Sequence, residues 1–385
     1  MVRVLVVRLD SLGDVLLSGP AVRAVAEGAD EVVMLCGPRG RAAAELLPGV
    51  DRIIEWCAPW IDPEPEPVDR ADVDLLTHSL RGFDRALVFT SFHQSPLPTA
   101  LLLRLAGTPW IGGISEDYPG SLLDLRHRPD ADVPEPERML ALAADAGFPA
   151  PADTRLRVRR PLPQLGPLTG GPGHVVVHPG TSVPARAWPP ERFAEAVRLL
   201  TEAGQRVVVT GGPDETELTA YVAAGAAKGA GGSALDLGGR TTLPRLAAVL
   251  AGARAVVAGN TGPAHLAAAV GTPVVSLFAP TVPAARWAPY GVPTVLLGDQ
   301  EAPCKDSRAR ECPVPGHPCL ASVGALRVVE AVEEIADDEK IAELKRAADR
   351  KKGLGKGEDR REDAGRDKGK GPKRRGGTPR EVANL

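Results

Sequence analysis

Three short segments carry residues able to do chemistry, and each lies between an apolar run and a helical pattern. The first is Arg8-Leu9-Asp10-Ser11-Leu12-Gly13-Asp14. A strand ends, a glycine turn follows, and a helix begins with an acid at its mouth. Open α/β sheets place ligands at the carboxyl ends of their strands. Asp14 therefore stands where a proton acceptor would stand, near backbone N–H groups that favour its charged form. The alternative is that Asp14, Asp10 or Ser11 simply caps the helix, and position alone does not separate the two.

The second segment runs from His178 to Pro189, HPGTSVPARAWP. Thr181, Ser182 and Arg186 follow a strand and precede a helix, a cradle of hydroxyls and one cation suited to phosphate oxygens. The third is Ala258-Gly259-Asn260-Thr261-Gly262-Pro263-Ala264-His265. Asn260 or Thr261 would cap a helix, proline suits its first turn, and the free amides face whatever lies above the sheet. His265 falls in that first turn. A lone histidine there is more often a structural hydrogen-bonding group, and its company is what favours a functional one.

The elements that must position these residues alternate along the chain. Val2 to Val7 is a compact apolar run that reads as a buried parallel strand. Val15 to Ala26 has apolar residues at helical spacing. Glu31 to Cys36, Arg52 to Trp56 and Arg85 to Thr90 are further strands, and Leu97 to Ala106 is a helix ended by Gly107. A Pro-, Gly- and Arg-rich stretch, 149–173, closes the first half and supplies a linker. A second series follows: strands at His174–Val177, Arg206–Thr210, near Leu235, at Ala255–Ala258 and at Pro273–Phe278, with helices between them and a last one at Val323–Ile335. This is the rhythm of doubly wound parallel sheets. It divides the chain into a domain at 1–160, a linker at 161–173, a domain at 174–337 and a tail at 338–385.

Bulk properties narrow the classes. The chain has 385 residues, 43% of them hydrophobic, which suits a globular protein of two domains. No run of about 18 uncharged apolar residues suggests a membrane span. The opening residues read as a strand at once, so the expected location is the cytoplasm. The formal charge of −3 is uneven: residues 350–385 hold 13 Lys or Arg against 6 Asp or Glu. The rest of the chain is acidic, which gives no sign of nucleic-acid binding. The tail should be disordered, with contact to an anionic membrane surface as its sharper reading. A G-x-G-x-x-G after the first strand, a P-loop and a G-x-S-x-G elbow are all missing from the sequence.

Taken in order, the segments SLGDVLLSGPAVRAV, HPGTSVPARAWPPERFAEAV, VVVTGGPDE and GNTGPAHLAAAVGTPVVSLFAPT resemble glycosyltransferase family 9, the ADP-heptose:lipopolysaccharide heptosyltransferases. The resemblance covers about residues 1–335. It implies an α/β GT-B fold, two Rossmann-like doubly wound domains facing a central cleft, with acceptor on the first half and nucleotide on the second. It implies an inverting, metal-independent transfer from a nucleotide sugar such as ADP-heptose to a glycan or glycolipid hydroxyl, with no cofactor. Residue by residue, Asp14 matches the general base, with Arg8, Ser11 and Gly13 on the acceptor side. Arg186 stands for a phosphate-binding lysine, and Thr181 and Ser182 match hydroxyl contacts to phosphate. Asp214, with Glu215 as the nearby option, matches the acid that meets the ribose. Thr261, Gly262 and His265 match the motif beneath the diphosphate. Asn260 departs from the family's usual aspartate.

Two matters stay open in the sequence. Cys304, Cys312, His317 and Cys319 supply zinc-type ligands without a paired C-x-x-C, and the resemblance implies instead a family-specific cysteine-bearing loop. Asp72-Val73-Asp74 has the letters of a metal motif but no phosphate-binding surroundings, and is discounted. A nucleotide-sugar 2-epimerase of the same architecture, or a non-catalytic nucleotide-sugar-binding protein, would share much of the pattern.

Overall fold

The computed structural model describes residues 1–335 except 92, 129–131, 167 and 229–231. The expected charged tail, 338–385, lies outside the described residues, as does the end of the second expected domain. The first sheet contains β1 (Arg3–Arg8), β2 (Glu31–Cys36), β3 (Arg52–Glu55), β4 (Arg85–Val88), β5 (Trp110–Ile114) and β6 (Leu125–His127). The second contains β7 (His174–His178), β8 (Val207–Val209), β9 (Leu235–Asp236), β10 (Ala253–Gly259), β11 (Val274–Leu277) and β12 (Thr294–Leu297). Both are parallel, in the orders β3-β2-β1-β4-β5-β6 and β12-β11-β10-β7-β8-β9. The order reverses between β1 and β4 in one sheet and between β7 and β10 in the other. Those two switch points are where crevices open above a sheet.

Both sheets are covered on both faces, which is why their strands read as unbroken apolar runs. Val4 and Val6 of β1 join one buried cluster while Leu5 and Val7 join another. In β7, Val176 faces the first of these and Val175 and Val177 face a third. The first cluster is continuous between the halves: Val15, Leu46 and Leu47 share it with Leu246, Leu250 and Leu266. The halves are therefore packed together below the cleft by ordinary apolar burial, at about 25 cal/mol for each Å² removed from water.

Several elements differ from the sequence reading. The helix expected over Val15 to Ala26 is two helices, Leu12–Leu17 and Gly19–Gly28, because Pro20 cannot donate into a continuous turn. The helices Arg41–Leu46 and Glu135–Asp145 and the strands β5, β6 and β12 have no counterpart in the sequence reading. The described residues of 149–173 hold no helix or strand, yet Leu156 and Val158 are buried and Arg159 donates its backbone N–H to Leu46. The last helix is present over 325–335. Among the described residues no helix is long and apolar enough to cross a membrane.

Candidate active site

Four loops converge from the two switch points. Asp10 to Asp14 follow β1, Ser91, His93 and Gln94 follow β4, the segment to Arg186 follows β7, and Asn260 to Gly262 follow β10. They enclose a chamber of about 260 Å³ whose walls include Asp10, Asp14, His93, Arg186, Thr261 and His265. A larger recess of about 580 Å³ opens beside it, lined by Thr181, Ser182, Asp214, Glu215, Leu243 and Pro263. Leu12 also lines the recess, and Gly13 the chamber, so the turn after β1 touches both spaces.

Asp14 is held by residues of its own half. Arg8 Nη2 donates to Asp14 Oδ1 at 3.0 Å, and the Ser11 hydroxyl donates to Asp14 Oδ2 at 2.8 Å. No side chain caps the helix Leu12–Leu17, so Ser11 serves the carboxylate instead. The same Arg8 Nη2 donates to Ser91 Oγ at 2.8 Å, and its Nε lies 3.0 Å from Asp10 Oδ2 without hydrogen-bond alignment. Gln94 Nε2 donates to the other Asp10 oxygen. Arg8 was expected on the acceptor side. It is instead wholly enclosed, 0% exposed, because a strand terminus buried on both faces turns its side chain under the loop. Its place is beneath the carboxylates.

The two carboxylates differ in electrostatics. Burial raises the Asp10 carboxyl above its ordinary value against the opposing pull of Arg8. Burial would raise Asp14 too, but Arg8, the Ser11 hydroxyl and His265 together outweigh it and hold it below the ordinary value. Deeper still lies a second ion pair. Glu135 and Arg138 are buried, with Arg138 Nη1 3.5 Å from Glu135 Oε2 and donating to Thr90 O at 2.6 Å. Burial raises the Glu135 carboxyl, with Arg8 and Arg138 pulling the other way. These two residues were missed from the sequence. The signal was present: charges at 135 and 138 lie on the same stripe as the buried Met139 and Leu142.

The second half faces this network with cations and amides. Arg186 Nη1 reaches Asn260 O at 3.4 Å, and its Nε is buried with no partner among the described residues. Burial pushes the His265 imidazole down to about 4, with Asp14 opposing and Arg186 adding to the fall. His265 is therefore neutral at pH 7, and its buried Nδ1 has no partner among the described residues. Thr261 precedes the helix Gly262–Val270 with extended backbone, and its hydroxyl is 3.4 Å from Gly259 O. Asn260 is paired to the backbone of one residue: its Nδ2 donates to Ala279 O and its Oδ1 accepts from Ala279 N, both at 3.4 Å. An aspartate could only accept, so the amide suits this backbone.

The halves meet at two glycines. A Cβ on Gly262 would lie 2.6 Å from Leu12 Cδ2, and one on Gly13 would lie 2.9 Å from His265 Cδ2. Glycine at both positions allows this approach without displacing either side chain, and it sets Asp14 opposite the helix that starts at Gly262. Farther out, Arg286 Nε bonds Asp132 Oδ1 at 2.8 Å and the Tyr290 hydroxyl bonds Glu137 at 3.2 Å, joining the halves again.

The structure thus brings Ser11, Gly13, Asp14, Arg186, Asn260, Thr261, Gly262 and His265 to one chamber. Thr181, Ser182, Asp214 and Glu215 lie in the adjoining recess. Thr181 Oγ1 accepts from Val183 N at 3.2 Å, shaping its own turn. Glu215 is committed within the protein, accepting from Gly212 N at 2.7 Å, and Asp214 is exposed. Asp72 accepts from the Trp56 indole and Asp74 pairs with Arg70, so neither belongs to the chamber. Also missed were His93, Arg308 and Arg310, which line the chamber from loops that no periodic pattern marks, and Trp287, which ends the short helix Ala284–Trp287.

The cysteines are free thiols. Burial, reinforced by Cys304 and Cys312, pushes the Cys319 thiol up to about 12. His317 turns Nε2 to Ala185 O at 3.1 Å. Among the described residues, no group of three or more His, Cys, Asp or Glu is arranged to hold a metal ion.

Two parallel Rossmann-like sheets, with an acid on one lip of the cleft and a cation and helix amides on the other, give the chain the GT-B architecture. The model of glycosyltransferase family 9 (heptosyltransferase) matches residues 76–317. Lipopolysaccharide heptosyltransferase 1 of Pseudomonas aeruginosa is 30% identical over 323 residues, 80% of this chain and 87% of that protein. Lipopolysaccharide heptosyltransferase 3 of Escherichia coli is also 30% identical, over 184 residues that are 46% of this chain and about half, 51%, of that protein. The solved structure of E. coli ADP-heptose lipopolysaccharide heptosyltransferase II superposes with a TM-score of 0.67 at 22% identity, over 88% of this chain and 99% of that one. The chain belongs to glycosyltransferase family 9, the heptosyltransferase family.

Proposed function

We propose that the chain transfers a heptosyl group from ADP-heptose to a hydroxyl of a cell-envelope glycan or glycolipid, lipopolysaccharide core being the first acceptor to test. Inversion at the anomeric carbon and independence of a divalent metal are part of the proposal. The observation that carries it is the meeting, in one chamber, of the Asp14 carboxylate from one half with Arg186 and His265 from the other. The larger recess suits the nucleoside, with Asp214 free for a ribose hydroxyl, and the smaller chamber suits the sugar and the attacking group.

The chemistry follows from charge. Asp14 is ionised at neutral pH because Arg8 and Ser11 bond its oxygens. It is a weak base, so it takes the acceptor's proton late, after the new C–O bond has made that hydroxyl acidic. As the bond from the anomeric carbon to the phosphate oxygen breaks, its electron pair passes to the diphosphate. Arg186 and the amide end of the helix Gly262–Val270 stabilise that growing charge, the task a metal ion performs elsewhere. Attack from the acceptor side on a sugar held against this cradle inverts the configuration.

On this reading the enzyme acts in the cytoplasm, and a contact of the basic tail with anionic lipid at the inner face of the membrane is a further part of the proposal. A screen of ADP-heptose against other ADP-, GDP- and UDP-sugars by thermal shift tests the donor. A donor at 100 times its Kd stabilises by about 2.7 kcal/mol. Stabilisation by ADP-heptose and transfer that survives EDTA are expected. A preference for another nucleotide, or transfer that stops on chelation, would overturn the corresponding part.

A further inference from the structure

The loop from Cys304 to Cys319 lies outside the motif blocks, yet it is fastened to the site at several points. Both end cysteines are buried in the core of the second half. Asp306 N donates to Pro280 O and Arg308 N to Thr281 O, each at 2.8 Å, which ties the first arm to the segment after β11. The middle of the loop clips onto a single residue of the phosphate-cradle segment. Ala185 N donates to Arg310 O at 2.8 Å, and His317 Nε2 donates to Ala185 O at 3.1 Å.

Ala185 immediately precedes Arg186, so the clip sets Arg310 beside Arg186 on one wall of the chamber. The two guanidinium charges repel, Arg310 adding to the fall that burial imposes on Arg186, and an anion between them relieves that repulsion. Arg186 adds a second sign of an absent partner, its buried Nε being unpaired among the described residues. Arg186 and Arg310 thus face one volume from the half that carries the donor recess.

We propose that Arg310 is a second diphosphate-binding residue of the donor site, acting beside Arg186, and that the loop from Cys304 to Cys319 is the element that delivers it. This rests on the reading of the cleft as a nucleotide-sugar site and deepens it. A diphosphate carries more charge than one arginine neutralises, and a planar guanidinium can bridge two phosphate oxygens at once. The attachment to Ala185, rather than to the first half, assigns Arg310 to the donor and not to an anionic acceptor. As the leaving group gains charge, Arg310 strengthens its hold, so it contributes to turnover as well as to affinity.

The test uses the full-length chain as wild type, Arg310→Ala and Arg310→Lys, with ADP, AMP and adenosine as calorimetric probes at fixed salt. Because the clip uses the Arg310 carbonyl, truncating the side chain leaves the loop attached, which an unchanged Tm checks. Arg310→Ala should weaken ADP binding tenfold or more, weaken AMP less and leave adenosine unchanged. Arg310→Lys should recover part of the loss, and kcat should fall with ADP affinity. If Arg310→Ala binds ADP as wild type does, the proposal is overturned, and a rise confined to the acceptor KM would assign the cation to an acidic acceptor instead. If the wild type itself binds no nucleoside diphosphate, the donor reading falls together with this one.

Discussion

Asp14→Asn separates chemistry from scaffolding, because the structure fixes the size of both effects. The substitution keeps shape and leaves Arg8 partnered: Nη2 still donates to Ser91 at 2.8 Å, and Nε still lies 3.0 Å from Asp10. The asparagine carbonyl can still accept from Arg8, so a charged acceptor is exchanged for a neutral one. That is worth about 1–2 kcal/mol, below the roughly 3–5 kcal/mol of a buried pair broken outright. The loss of a general base is about 100-fold or more in turnover, which is about 2.7 kcal/mol of barrier. The variant should therefore melt a few degrees lower, bind ADP as wild type does, and turn over at 1% or less of the wild-type rate. Transfer is read by chromatography of the product, and binding by calorimetry. Asp10→Asn is the matched control, since Asp10 faces the same chamber and shares the same arginine. It should lose less than about tenfold. Near wild-type turnover in Asp14→Asn, or an equal loss in both variants, would refute the assignment of the base.

Two further outcomes follow from the site. His265 is held neutral by burial, its pKa lowered to about 4 from the ordinary 6.5. A depressed folded pKa means that the unfolded chain binds more protons between those values, so stability is full above about 6.5 and falls as pH drops toward 4. The loss reaches about 3 kcal/mol, and His265→Gln should flatten that part of a Tm-against-pH curve; an unchanged slope would show that other groups dominate. At the glycine contact, Gly262→Ala puts a methyl 2.6 Å from the Leu12 side chain, which should cost about 1–3 kcal/mol. Leu12→Ala makes room, so the double variant should recover much of the loss in Tm, whereas additive losses would mean that the two residues are not in contact.

The chain order of elements and the motif positions were legible in the sequence because they depend on neighbours. Apolar runs such as Val4 to Val7 declare a strand buried on both faces, and the blocks at Asp14, Arg186 and His265 each follow such a run. Short-range rules also place the cap and turn residues of Asn260 to Pro263. The broken helix at Ser18 and the short strands β5, β6 and β12 were harder to see, since three to five residues show too little periodicity to separate strand from loop.

Partnership was decided only by the tertiary structure. Arg8 read as a group that could face an acceptor, but burial on both sides of β1 turns it beneath Asp14, where it sets that carboxylate's charge. Glu135 and Arg138 reach the same network from more than 100 residues away, and nothing local predicts that distance. Arg310 gains its neighbour through a backbone bond to Ala185. The local pattern specifies strands, turns and caps because those energies act over a few residues. Which charges meet is decided by loop closure over long separations, where only the packed core repays the entropy of bringing them together.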